Sequence, residues 1–179
     1  MFILEVFDQT IKKLKTQTAN IVTVVNLFLG GFAIIEVLKG NTHISLLLIF
    51  IAAFADRFDG IIARRFHIES ELGKQLDSMS DIISFGVAPA LLIYEGVLHE
   101  FGAPGALFTV FYIFCGSYRL ARFNLSENVG YYVGLPITAA GCLATLCFLA
   151  IPYLPSQTFI VIMTLLSLLM VSSLKINKI

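Results

Sequence analysis

The sequence predicts an all-α, polytopic membrane protein of six transmembrane helices with an N-terminal interfacial amphipathic helix. Three observations carry this. The 179-residue chain is 58% hydrophobic and 13% charged, against about 25% charged in soluble domains, and its mean hydropathy is +0.88. Apolar runs close to the ~20 residues that cross a bilayer recur along the chain, separated by polar or proline-bearing breaks. The cations collect on one side of those breaks. The length is that of one domain, divided into an interfacial helix over 1–16 and a six-helix domain over 17–179.

Each element follows from the local pattern. Residues 1–16 set Phe2, Ile3, Val6, Phe7, Ile11 and Leu14 against Glu5, Asp8, Lys12, Lys13 and Lys15. That pattern suits a helix lying on the inner leaflet, or a plain solvated lead-in helix, rather than a cleavable leader. The first span is expected over 20–38 and closes at the polar turn Lys39-Gly40-Asn41-Thr42. The second covers 43–65 and the third 73–98, where Pro89 is set to kink the helix. Pro104 suits the first turn of a fourth helix ending near Asn124. A loop over 126–132 leads to a fifth span that opens at Leu135-Pro136. Pro152 and Pro155 then bracket the turn before a sixth span over 156–174.

Six spans put both termini on one side. Of the 12 Lys and Arg residues, only Lys39 falls on the other side, a positive-inside bias that makes the terminal side cytoplasmic. The expected protein is an integral component of the cell membrane. A net charge of zero, with no basic stripe interleaved with aromatics, argues against nucleic acid. Cys115, Cys142 and Cys147 lie in apolar runs at spacings that suit neither a disulfide framework nor a zinc site. They read as small buried hydrophobes.

Against this background stand Asp56, Asp59, Asp77 and Asp81, in the string Asp56-x-x-Asp59-Gly60-x-x-Ala63-Arg64, eight residues, Gly73-x-x-x-Asp77-x-x-x-Asp81. A carboxylate at membrane depth costs roughly 2.5–3.5 kcal/mol on the mildest scale, so four require compensation. Asp56 and Asp59 are i, i+3 on one helix, and Asp77 and Asp81 are i, i+4 on the next. The helices are consecutive and antiparallel, and both pairs lie near the link, so all four converge at the cytoplasmic end. Carboxylates so close repel one another. Hard divalent cations relieve this: Mg²⁺, Mn²⁺ or Ca²⁺ by the oxygen-only ligand set. Two ions about 4 Å apart would suit in-line phosphoryl displacement. Gly60 and Ala63 leave a groove free of large side chains beside the metals. Gly73 permits a close turn, and Arg64 can pair with a phosphate. The plainer alternative is that Arg57 and Arg64 neutralise Asp59 and Asp77 as ion pairs.

This string resembles the signature of the CDP-alcohol phosphatidyltransferases, and every fixed position and gap agrees. The resemblance implies two divalent cations, Mg²⁺ or Mn²⁺. Asp56, Asp59 and Asp77 would hold one, and Asp56, Asp77 and Asp81 the other, with Asp81 as general base. It implies that Gly60, Ala63, Arg64, Ser70 and Gly73 line the CDP-lipid site. Asn20 and Thr23 keep part of a Pro-Asn-x-x-Thr opening whose proline is here Ala19. A homodimer bathed in membrane lipid is implied as well.

Three further strings resemble the phosphatidylserine synthase branch. They are Thr23-Val24-Val25-Asn26-Leu27-Phe28; the run from Leu76 to Ala90 containing Asp77-Ser78-Met79-Ser80-Asp81; and Arg119-Leu120-Ala121-Arg122-Phe123-Asn124. They imply transfer of a phosphatidyl group from CDP-diacylglycerol, or CDP-archaeol, to L-serine, with release of CMP. Serine is zwitterionic and needs a cation for its carboxylate; Arg119 and Arg122 are candidates, with Lys74, Ser84 and Asn124 as polar neighbours. The arginines would serve equally in a phosphatidylglycerophosphate or phosphatidylinositol-phosphate synthase. A non-enzymatic divalent-cation carrier would need polar residues continuing to the outer face, whereas 46–50 and 90–93 are apolar.

Overall fold

The computed structural model describes residues 21, 23–66, 71–125 and 131–177. The interfacial helix expected over 1–16, and Asn20 and Ser70, lie outside the described residues.

Helix α1, Thr23–Leu38, is two-faced. Thr23, Asn26, Gly30, Ala33 and Val37 are buried, while Val25, Phe28, Phe32 and Ile35 point outward, the i, i+3, i+4 spacing of a helix packed on one side. It ends at Gly40, whose φ of 80° few other residues adopt. The Gly40 N–H bonds Val37 O at 2.9 Å and the Asn41 N–H bonds Glu36 O at 2.8 Å, the Schellman arrangement that satisfies the last helical carbonyls. Helix α2, Thr42–Phe66, turns Leu46, Ile49 and Ala52 inward and Ile44, Leu47, Ile51 and Phe54 outward.

Helix α3, Glu71–Gly96, is the axis of the bundle, and α1, α2, α4 and α5 pack round it. Its middle, Ile82–Val87, is a π-helix, marked by the Ala88 N–H bonding Ile83 O. Pro89 explains part of this irregularity. It has no N–H to offer the carbonyl four residues back, that of Phe85. The Tyr112 hydroxyl donates to Phe85 O instead, at 3.3 Å. Gly141 lets α5 come close to the same backbone, since a Cβ there would stand 2.7 Å from Phe85 O.

After a 3₁₀ turn at Leu98–Phe101, helix α4, Ala103–Leu125, runs back beside α3. Helix α5, Ile137–Phe148, starts directly after Pro136. A 3₁₀ turn, Ile151–Tyr153, leads to α6, Ser156–Val171, which lies along α4. Two three-residue strands complete the chain where a plain loop was expected: β1, Tyr131–Val133, pairs antiparallel with β2, Lys175–Asn177, Tyr132 opposite Ile176.

The helix boundaries follow the sequence closely, but the expectation of six transmembrane helices is overturned. Among the described residues one helix, Glu71–Gly96, is long and apolar enough to cross a membrane. Helices α1, α5 and α6 are apolar but too short. Prolines 136, 152 and 155 interrupt the chain around α5, holding it to 12 residues and delaying α6, which has 16. Asp56, Arg57 and Asp59 interrupt the apolar run of α2, and Tyr112, Tyr118 and Arg119 dilute that of α4. The chain is an all-α, membrane-associated protein whose outward faces are densely apolar.

Candidate active site

Asp56 lies on the inward stripe of α2, one turn beyond Ala52, and is half-buried. Asp77 is half-buried and Asp81 is 8% exposed, both on α3 just before its π-helix. One carboxylate oxygen from each can be chosen so that all three lie within 4.8 Å of one another. Ionised carboxylates this close repel one another, and protonation or a cation held among them relieves that repulsion. Among the described residues no Lys or Arg pairs with Asp56 or Asp77. A set of carboxylate oxygens at this spacing fits one hard divalent cation. The side chain of Asp59 lies outside the described residues, as do those of Ala63 and Arg64; Gly60, with these, is on the last turns of α2.

Long-range hydrogen bonds hold α3 at this end. On one side the Ser80 hydroxyl donates to Thr23 O at 3.3 Å and the Ser84 hydroxyl to Asn26 O at 3.1 Å. Gly30 permits the approach, because a Cβ there would overlap the Ser84 side chain. On the other side Asn124 Nδ2 donates to Ser78 Oγ at 2.7 Å, Ser78 Oγ to Lys74 O at 3.0 Å, and Lys74 Nζ to Asn124 O at 3.3 Å. Lys74 and Asn124 are thus brought together across α3 and α4. Gly73 is half-buried in the first turn of α3.

Arg119 is 5% exposed, and its guanidinium carbon lies 5.2 Å from the centre of the Phe123 ring, a cation–π distance. Tyr112 meets Phe85 and Asn124 meets Ser78, so the antiparallel α3 and α4 put Arg119 level with Asp81. Arg122 turns to the chain end. It donates to Val171 O at 3.0 Å and Ser172 O at 3.1 Å, carbonyls that the end of α6 leaves without helical donors. The first turn of α1 and strand β2 both lie at this acidic end.

Asn26, Ser78 and Ser80 stand in the quoted strings without a site role of their own, and Tyr112 in none of them; the fold brings all four to the α3 segment around the aspartates. The readable signal was polar residues on the inward side of apolar helices. Serine in particular satisfies itself within a helix so often that this signal is weak.

Residues 16–176 match the family model described as CDP-alcohol phosphatidyltransferase. Among curated proteins, the chain is 39% identical over 135 residues to the CDP-diacylglycerol–serine O-phosphatidyltransferase of Bacillus subtilis, covering 74% of this chain and 76% of the relative. It is 36% identical over 170 residues to the protein of the same name from Methanocaldococcus jannaschii, covering 94% and 77%. The archaetidylserine synthase of Methanothermobacter thermautotrophicus is 32% identical over 164 residues, covering 89% and 69%.

Proposed function

We propose that this chain, which belongs to the CDP-alcohol phosphatidyltransferase family, transfers the phosphatidyl group of CDP-diacylglycerol, or of its archaeol counterpart, to the hydroxyl of L-serine. The products are phosphatidylserine and CMP. The observation that carries this is the convergence of Asp56, Asp77 and Asp81 within 4.8 Å, in a chain whose relatives are named for transfer to serine.

In this reading Asp56, Asp59, Asp77 and Asp81 hold two divalent cations, Mg²⁺ or Mn²⁺. When bound, such ions neutralise charge building up on the pyrophosphate and orient it for in-line attack. Asp81 accepts the proton of the serine hydroxyl. The serine oxygen forms a bond to the lipid-side phosphorus as the bond from that phosphorus to the CMP oxygen breaks, and CMP leaves with the electron pair. The step is a single displacement, without a covalent intermediate. Gly60, Ala63, Arg64, Ser70, Gly73, Asn20 and Thr23 hold the nucleotide and pyrophosphate.

Arg119, a buried cation level with Asp81, receives the acceptor carboxylate, for which a guanidinium is well shaped. Lys74 and Asn124 flank the acceptor on one side of α3 and Ser84 on the other, and Arg122 supports the site through the carbonyls at the end of α6. The acidic end faces the cytoplasm with both termini. The gathering of Arg57, Lys74, Arg119 and Arg122 at that end, against Lys39 at the other, supports this orientation. The family resemblance supports a homodimer, which the mass of the detergent-solubilised particle tests.

The functional test is CMP release from CDP-diacylglycerol with Mg²⁺ or Mn²⁺, comparing L-serine, glycerol 3-phosphate and inositol 1-phosphate. Release driven by serine and lost in Asp81→Asn is the expected result. Release driven by either phosphate instead would overturn serine as acceptor.

A further inference from the structure

Asn26 is fully buried, and among the described residues neither its Oδ1 nor its Nδ2 has a hydrogen-bond partner. A buried amide left unpaired is costly, and such groups call for an explanation in a bound ligand or water. Asn26 sits on the inward stripe of α1, between Thr23 and Gly30. Its backbone is tied to the catalytic segment: Ser80, just before Asp81, bonds Thr23 O, and Ser84, three residues after Asp81, bonds Asn26 O. Side chains on a helix lean towards its N-terminus, so the amide leans from the level of Ser84 towards that of Asp81. Ser84 belongs to the π-helix Ile82–Val87, an irregularity found often at functional sites.

We infer that the Asn26 side chain contacts the acceptor, its Oδ1 taking a hydrogen bond from the α-ammonium of an amino-acid acceptor. The inference rests on the serine reading above and goes beyond it by naming the residue that reads the amino group. The chemistry suits a neutral amide. The nearby carboxylates are committed to cations and Arg119 to the acceptor carboxylate, so the ammonium needs an uncharged acceptor. A carboxylate at position 26 would compete for the metal. Asn26 would thereby separate amino-acid acceptors from alcohols lacking the amine.

The test removes the two partners separately and together. Wild type and Asn26→Leu are assayed for CMP release with L-serine and with 3-hydroxypropionate, which is serine without its amino group. Wild type is expected to favour serine. In Asn26→Leu, kcat/KM for serine falls at least about tenfold, as for a lost hydrogen bond to a charged group. Its kcat/KM for 3-hydroxypropionate and its KM for CDP-diacylglycerol stay within about twofold, because no partner is lost there. Thermal unfolding of Asn26→Leu without substrate stays level or rises, since the unpaired amide is gone. Serine-induced protection against unfolding weakens in the variant and gives a readout independent of turnover. Equal losses for both acceptors, or none for serine, would overturn the inference while leaving serine transfer intact. The second of these, with a lower unfolding temperature, is the signature of a bridging water. If Asn26→Leu does not fold, Asn26→Ala carries the same comparison, and a wild type indifferent to the amino group overturns the inference by itself. Wild-type release driven by a phosphorylated alcohol rather than by serine sinks the acceptor assignment first, and the inference with it.

Discussion

The two ends of the bundle handle charge in opposite ways. At the end bearing Gly40, Glu36 takes a hydrogen bond from Lys39 Nζ at 2.8 Å and another from Asn41 Nδ2 at 2.7 Å. The whole arrangement lies within six consecutive residues. At the other end, three carboxylates crowd within 4.8 Å, and the bonds that hold them span the chain: Ser80 to Thr23 is 57 residues apart and Ser84 to Asn26 is 58. The first end is electrostatically closed and local. The second stores repulsion that only a cation or proton relieves, and it is assembled by tertiary contact. A stable protein with no function would resemble the first end throughout. The second is the type of local conflict that functional sites retain at a cost in stability.

Substitutions at the two ends should therefore separate sharply. The largest effect is expected for Asp81→Asn. Loss of a general base alone lowers rate about 10²–10⁴-fold, and loss of a metal ligand adds to that, so CMP release should fall below detection. Wild-type-like release from the variant would break the contrast at once.

Chelation by EDTA should abolish activity, and Mg²⁺ or Mn²⁺ should restore it. A site-bound ion at ~100 times its Kd stabilises by about 2.7 kcal/mol, visible as a rise in unfolding temperature. Asp77→Asn should lose that rise and, in EDTA, unfold at a higher temperature than wild type because one repelling carboxylate is gone. A variant that melts lower in EDTA would show that the cluster is not under repulsion.

Smaller effects test the scaffold between the ends. Tyr112→Phe removes the buried hydroxyl that donates to Phe85 O, at a cost of about 1 kcal/mol. Gly30→Ala pushes a methyl into Ser84 and should cost ~1–3 kcal/mol by overpacking. Both are read by thermal unfolding in detergent. Gly30→Ala should also lower turnover, because it shifts the backbone beside Asp81.

The smallest effect belongs to the closed end. The hydrogen bond from Lys39, then that from Asn41, holds the Glu36 carboxyl below its ordinary pKa. Its stabilising contribution is present above the ordinary carboxylate value and is lost as pH falls through the lowered one. Glu36→Gln should leave activity at neutral pH unchanged and move the unfolding temperature by less than Tyr112→Phe does. Comparing the two acid-unfolding profiles would sharpen the contrast, and a loss of turnover in Glu36→Gln would contradict it.

Much of this molecule was legible in one dimension. Helix α1 was expected to end at Lys39-Gly40-Asn41, and it does, because a glycine with positive φ and its capping bonds are decided by neighbours in sequence. Pro104, Pro136 and Pro155 open helices for the same local reason. The convergence of Asp56, Asp77 and Asp81 was readable because helical periodicity and one short link between antiparallel helices leave little freedom.

What failed to follow from sequence was whatever depends on a distant partner or on actual helix length. Hydropathy marked six apolar runs, but crossing a membrane demands an uninterrupted length that the prolines and charges deny to all but α3 among the described helices. The pairing of β1 with β2 joins segments over 40 residues apart, each too short to carry a strand signal. Arg122 is a sequence candidate for the acceptor site, and its bonds to the carbonyls at the end of α6, 49 and 50 residues away, come only with the fold. The sequence by itself determined the carboxylates, the glycines and the turns, because those rest on spacing and backbone sterics. Tertiary structure alone decided that Tyr112 would replace the proton donor missing at Pro89 and that Ser80 and Ser84 would tie α1 to the aspartates. A hydrogen bond between residues remote in sequence exists only once packing has brought both partners within about 3 Å.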